Sequence, residues 1–292
     1  MEKGFEKNTF LKRLGTMIHV DARRMFTSRF FYIVVAACLV APILILVMTT
    51  LMDGTVTVDP QTGEETVTEG FDNVWQIIGS LSTDSAMGGD MSGDMSGDMS
   101  AEGGMGAGME MSLTSMCNIN MLYFAMTALV CIFISDDFRS GYSKNLFTVR
   151  AKKSDYVISK IFVCFLGCAC MLLAFFIGAM IGGAICNSMF DLPFDMVGFG
   201  VGELILCMLS KIALALLFVP IYVCMSVIAK QKAWLSILLS AAVGMLLFMM
   251  IPVLTPLDQT VLNLGLCLAG GSLSALGLGA VSNLILKKTS LV

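Results

Sequence analysis

Residues Ser135–Lys160 read SDDFRSGYSKNLFTVRAKKSDYVISK. The stretch is polar and rich in Lys and Arg. Even so, it lies between two apolar runs, MLYFAMTALVCIFI at 121–134 and IFVCFLGCACMLLAFFIGAMIGGAI at 161–185. A helix needs roughly 18 or more apolar residues to cross a hydrocarbon core of about 30 Å. The stretch therefore reads as the largest inner loop of a membrane protein, joining one span to the next.

Working outward, the same criterion gives six candidate spans: Phe30–Leu51, Met116–Ser135, Lys160–Cys186, Leu204–Ala229, Ala233–Val253 and Val261–Leu286. Composition agrees. The 292 residues have a mean hydropathy of +0.84 and only 14% are charged, too few for the surface of a soluble domain of this size. The predicted fold class is an all-α polytopic membrane protein. No cleavable signal peptide is expected, because 29 residues with seven Lys/Arg precede the first apolar run.

Basic residues set the orientation. They cluster in the N-terminal tail, in 139–160, at Lys230 and Lys232, and at Lys287 and Lys288, and these groups hold 17 of the 18 Lys/Arg. With six spans, all of these groups fall on one side, so both termini should be cytoplasmic. The net charge of −4 comes from the external segment 52–115, which carries 12 Asp/Glu and no Lys/Arg. Its parts read as a β-hairpin in TVTVDPQTGEETVT, a short helix touching the outer leaflet in FDNVWQIIGSL, and a loosely structured Met/Gly/Asp-rich repeat. None of the ten cysteines lies in the body of that loop, which excludes a disulfide framework there. Residues 1–29 read as an amphipathic elbow in the headgroup region, and 30–292 as the six-span domain.

Small residues recur at close-packing intervals. Gly178 and Gly182 form a GxxxG on the third span, and Gly271, Ala275 and Gly279 follow at i, i+4 and i+8 on the sixth. Pro42 and Pro220 are expected to kink their helices.

Within the inner loop, 136–159, Ser140-Gly141 signals a turn, YSKNLFTVRAKKSDY suits a short amphipathic helix, and Ser154 can cap the third span. Here the chain resembles the ABC-2-type permeases, membrane subunits of bacterial ATP-binding-cassette exporters. Their pattern runs acidic–x–x–x–Gly, a Leu-rich helix, an Arg, then a Lys opening the next span. Asp137, Gly141, Leu146, Arg150 and Lys160 stand at those places, with Asp for the usual Glu and Val149 for the usual Pro. VDARRMFTSRFFYI is similar to the basic elbow of such permeases.

The resemblance implies a coupling helix near Tyr142–Asp155 that docks on a separate ATPase. Leu146, Phe147 and Arg150 would be the contacts, with Asp137 and Gly141 setting the turn. It also implies a second permease chain, identical or related, and a multi-pass location in the bacterial cytoplasmic membrane. The substrate would be an amphipathic peptide, antibiotic or lipid moved outward. ATP and Mg would be bound by the partner, since this chain has no G-x-x-x-x-G-K-[ST]. No cofactor, enzymatic chemistry or nucleic-acid partner is expected of the chain itself. His19 is the sole histidine.

Two features leave alternatives open. Lys211 reads either as an intramembrane charge with Glu203 as partner, or as an interfacial residue if the fourth span begins at Ile212. Met87, Met91, Met95 and Met99 recur every four residues, and thioethers suit Cu(I). They read as part of the loosely structured repeat, or as the metal-capturing loop of a copper-related ABC permease. Outside transport, the alternative is a membrane scaffold or sensor partner.

Overall fold

The computed structural model describes residues 10–54, 56–58, 65–67, 74–78, 122–148, 152–190, 201–230, 232–254 and 261–288. Two helices open the chain, α1 (Phe10–Thr27) and α2 (Arg29–Met52). Ser28 between them is extended, with φ −71° and ψ 129°, so the break is a single residue wide. Strands β1 (Val56–Val58) and β2 (Glu65–Val67) follow as an antiparallel pair with Val56 opposite Val67. A 3-10 turn covers Val74–Ile78.

The remaining helices are α3 (Leu122–Arg139), α4 (Tyr142–Thr148), α5 (Lys153–Phe190), α6 (Val201–Ala229), α7 (Ala233–Leu254) and α8 (Val261–Lys288). The chain between the second and third expected spans is thus mostly helical. Helix α3 runs four residues past Ser135, and α5 starts seven residues before Lys160. The expected cap is not made. The Ser154 hydroxyl donates to Asp155 at 3.2 Å, and Lys152 supplies the first carbonyl of α5.

Among the described residues, four helices are long and apolar enough to cross a membrane: Arg29–Met52, Lys153–Met189, Leu204–Ala229 and Leu264–Lys288. In α7 a shorter apolar helix, Ala233–Leu247, is described. Helix α3 has 18 residues, and Asp136, Asp137 and Arg139 occupy its last turn. The expected spans 116–135, described from Leu122 onward, and 233–253 are helical in their described residues but fall below that threshold there.

Helix α5 is the centre of the bundle. It packs on α1, α2, α3, α6 and α8. Its glycines set how near α2 can come. A Cβ on Gly178 would overlap the Leu39 carbonyl oxygen, and one on Gly182 would lie 3.0 Å from the Ile43 Cα. Small residues of this kind let backbones touch, which is how helices associate where lipid removes the hydrophobic drive. Helix α2 buries only a stripe of Phe31, Cys38, Pro42, Leu46 and Thr49, and leaves Tyr32, Ile33, Leu44 and Met48 outward. Helix α8 lies along α6, with Gly271 against Leu216, Ala275 partly buried against the core, and Gly279 facing Ile161 of α5. Its Leu262, Leu273, Leu276 and Leu284 are exposed. Outward apolar faces of this extent are what helices carry in hydrocarbon.

The 3-10 turn does not present Val74, Trp75 or Ile77 to the surface. Val74, Trp75 and Ile77 are buried, with the Trp75 ring 5.8 Å from that of Phe176 on α5. The reading of a helix on the outer leaflet is corrected here: these side chains find protein to pack on.

Candidate functional site

The apolar stripe of α1 is Ile18, Ala22 and Met25, with Asp21 set among them. Helical spacing turns that acid inward with its neighbours. It is fully buried, and so are Asp137, in the last turn of α3, and Lys160, at the third turn of α5. An isolated buried charge costs several kcal/mol, so such groups need close partners. All three have them.

The Lys160 ammonium lies 2.8 Å from Asp21 Oδ1 and 2.6 Å from Asp137 Oδ2. The Arg24 guanidinium, one turn after Asp21, donates to Asp137 Oδ1 at 2.7 Å. Two carboxylates and two cations make a neutral tetrad. Hydroxyls fill the remaining acceptor positions. Ser159 donates to Asp21 Oδ2 at 2.6 Å, and Tyr156 to Asp137 Oδ2 at 3.0 Å. The Lys160 ammonium also sits 4.2 Å from the centre of the Phe133 ring, within reach of a cation–π contact.

Helix α4 closes this cluster. Gly141 precedes it with φ +73°, a left-handed conformation that favours glycine and turns the chain sharply after α3. Tyr142 then lays its ring under the Arg24 guanidinium at 3.8 Å and points its hydroxyl to Asp21 Oδ1 at 3.4 Å. Burial opposes the charge on Arg24, but Asp137 beside it, with Tyr142 and Asp21, outweighs this and raises its pKa. Burial, then Asp21, push the Tyr142 phenol up, while Lys160 and Arg24 pull it back.

The opening turns of α5 reach other helices too. Lys153 donates to the Leu286 carbonyl in the last turn of α8 at 2.6 Å, a favourable place for a cation. Asp155 lies 3.5 Å from Arg13 of α1. Residues 153–160 therefore hold α1, α3 and α8 together, with α4 alongside through the Phe147–Tyr156 edge contact at 5.4 Å.

The structure places the sequence-derived residues as follows. Asp137 does not shape the turn. Its carboxylate faces the tetrad, and Gly141 makes the reversal. Leu146 and Phe147 do not stand outward as a patch for a partner. They are half-buried and packed on the bundle's own core. The outward positions of α4 are Lys144, Asn145 and Thr148. Arg150 and Met87, Met91, Met95 and Met99 lie outside the described residues. Lys211 is 6% exposed within the uninterrupted helix α6, where its carbonyl accepts from Tyr123 of α3 at 2.7 Å. The side chain of Glu203 lies outside the description, so the expected pair is not seen. Cys164 and Cys168 share a buried face of α5, and Cys170 sits off it, half-buried.

Sequence reasoning missed Asp21 and Arg24. The available signal was an acid inside the apolar stripe of an amphipathic helix.

A family model described as ABC-2 family transporter protein matches residues 96–247. That range holds Asp137, α4 and Lys160 but not Asp21 or Arg24. No curated protein and no solved structure matches the chain.

Proposed function

Since the chain belongs to the ABC-2 family of transporter proteins, as a multi-pass membrane permease of an ABC-type transporter, we propose that it is an exporter subunit driven through α4 by a separate ATPase. Six spans would carry it through the bacterial cytoplasmic membrane, with both termini and α4 on the cytoplasmic side. A pair of such chains would line the path for an amphipathic or hydrophobic substrate such as a peptide, antibiotic or lipid. ATP and Mg would be held by the ATPase.

The observation that carries this reading is the mounting of α4. It is a seven-residue helix set off by a left-handed glycine, fixed on its inner side and polar on its outer side. Lys144, Asn145 and Thr148 are its free surface, and Arg150 follows it in sequence. Leu146 and Phe147 hold α4 to the permease, and the polar face meets the ATPase. A charged rim contact of this kind sets partner choice and association rate.

The test is the double substitution Lys144→Glu with Asn145→Asp, made in the permease purified with its ATPase. The variant should insert and elute as a single species yet lose the copurifying ATPase. Full ATPase recovery with this variant would sink the reading.

A further inference from the structure

Tyr142 is the only described residue of α4 that touches the buried tetrad with a polar group. It makes two different contacts at once. Its ring face carries the Arg24 guanidinium at 3.8 Å and its hydroxyl meets Asp21, both on α1, while the Lys160 ammonium of α5 lies farther off, 5.6 Å from the ring centre. The same two residues are bound to α3 and α5 through Asp137 and Lys160. By contrast, the backbone joins α3 to α4 only through Ser140 and the left-handed Gly141. Covalent geometry alone leaves the angle of α4 free at that glycine.

We propose that Tyr142 is a positioning residue for coupling, tying α4 to α1 so that a displacement of α4 moves the N-terminal helix with it. This inference rests on the reading of α4 as the ATPase-contacting helix. It adds that α1, near the start of the chain, is the element that responds. Geometry sets the requirement for an aromatic ring. A guanidinium stacks on a planar face, and an aliphatic side chain at 142 offers none.

The experiment uses the permease–ATPase complex in a cysteine-free background. Nitroxide labels replace Lys12 on α1 and Leu262 at the far end of α8, both exposed. The inter-label distance is read with and without ATP plus vanadate. In the parent complex the distance should shift by about 2 Å, the upper size of helix shifts at interfaces. Tyr142→Phe should keep that shift, because the ring face remains. Tyr142→Leu should abolish it while ATPase copurification and ATP hydrolysis persist. Arg24→Met, which leaves no cation from α1 over the ring, provides a second variant should Tyr142→Leu fail to fold, and should also lose the shift. An unchanged shift in Tyr142→Leu or Arg24→Met, or no shift in the parent, overturns the inference. Failure of the coupling reading shows separately, as ATPase recovery that survives the Lys144→Glu, Asn145→Asp change.

Discussion

Lys160 decides the energetics of the tetrad. It bridges two carboxylates that would otherwise face each other without a buried cation between them. Lys160→Met should therefore destabilise the protein by about 3–5 kcal/mol, the range for removing one partner of a buried pair. Arg24→Met should cost clearly less. Its side chain is 31% exposed, and Asp137 keeps Lys160 and Tyr156 when Arg24 is gone. Thermal unfolding in detergent would rank the two, and the reverse order would refute this division of roles. Tyr142 adds a pH dependence of known sign. A raised phenol pKa means its contribution is complete below the ordinary value of 10.0 and is lost as pH rises through the folded-state value. Phenolate absorbance of the parent minus that of Tyr142→Phe should accordingly titrate above 10.0. The residue pattern hid this cluster because its members are far apart in sequence. Arg24 and Asp137 are 113 residues apart, and Asp21 and Lys160 are 139. Asp137 and Lys160 were visible as part of a loose family pattern, whereas their partners on α1 had only local amphipathicity to mark them.

At the scale of elements, long apolar helices were easy to read and short ones were not. Helices α2, α5, α6 and α8 follow from long, predominantly apolar composition. The seven residues of α4 contain too few turns for hydrophobic spacing to say which side meets the bundle, so Leu146 and Phe147 read equally well as an outward patch. The glycines show a similar limit. A small residue in an apolar helix is compatible with close contact and with open lipid. Gly178 and Gly270 illustrate the two cases, since a Cβ at Gly178 meets the Leu39 backbone and one at Gly270 meets nothing within 4 Å. Gly178→Ala should lower stability by about 1–3 kcal/mol, because backbone cannot yield as a side chain does. Gly270→Ala should be neutral or stabilising by up to about 1 kcal/mol through helix propensity. Equal melting temperatures for the two variants would contradict the α2–α5 contact.

For the whole molecule, the distribution of charge makes a sharp prediction. Single cysteines at Ser92 and Lys144, in a cysteine-free background, should react with an impermeant reagent from opposite faces of the membrane. Reaction from the same face would overturn the six-span arrangement. Helix α5 then gives the bundle a mechanical property. Its 38 residues contain no proline and extend about 57 Å, nearly twice the hydrocarbon thickness. Helix α2 presses on it at Gly178 and Gly182, near one end rather than the middle. Taken as a pivot, that contact would divide the helix into unequal arms. From Lys153 to Gly178 the arm is about 38 Å, and from Gly182 to Phe190 about 12 Å. A stiff rod pivoting there would turn a broad swing at its basic end into a movement about one third as large, and opposite in direction, at the other end. The force at that end would be about three times greater. Such a rod would trade width of movement for force.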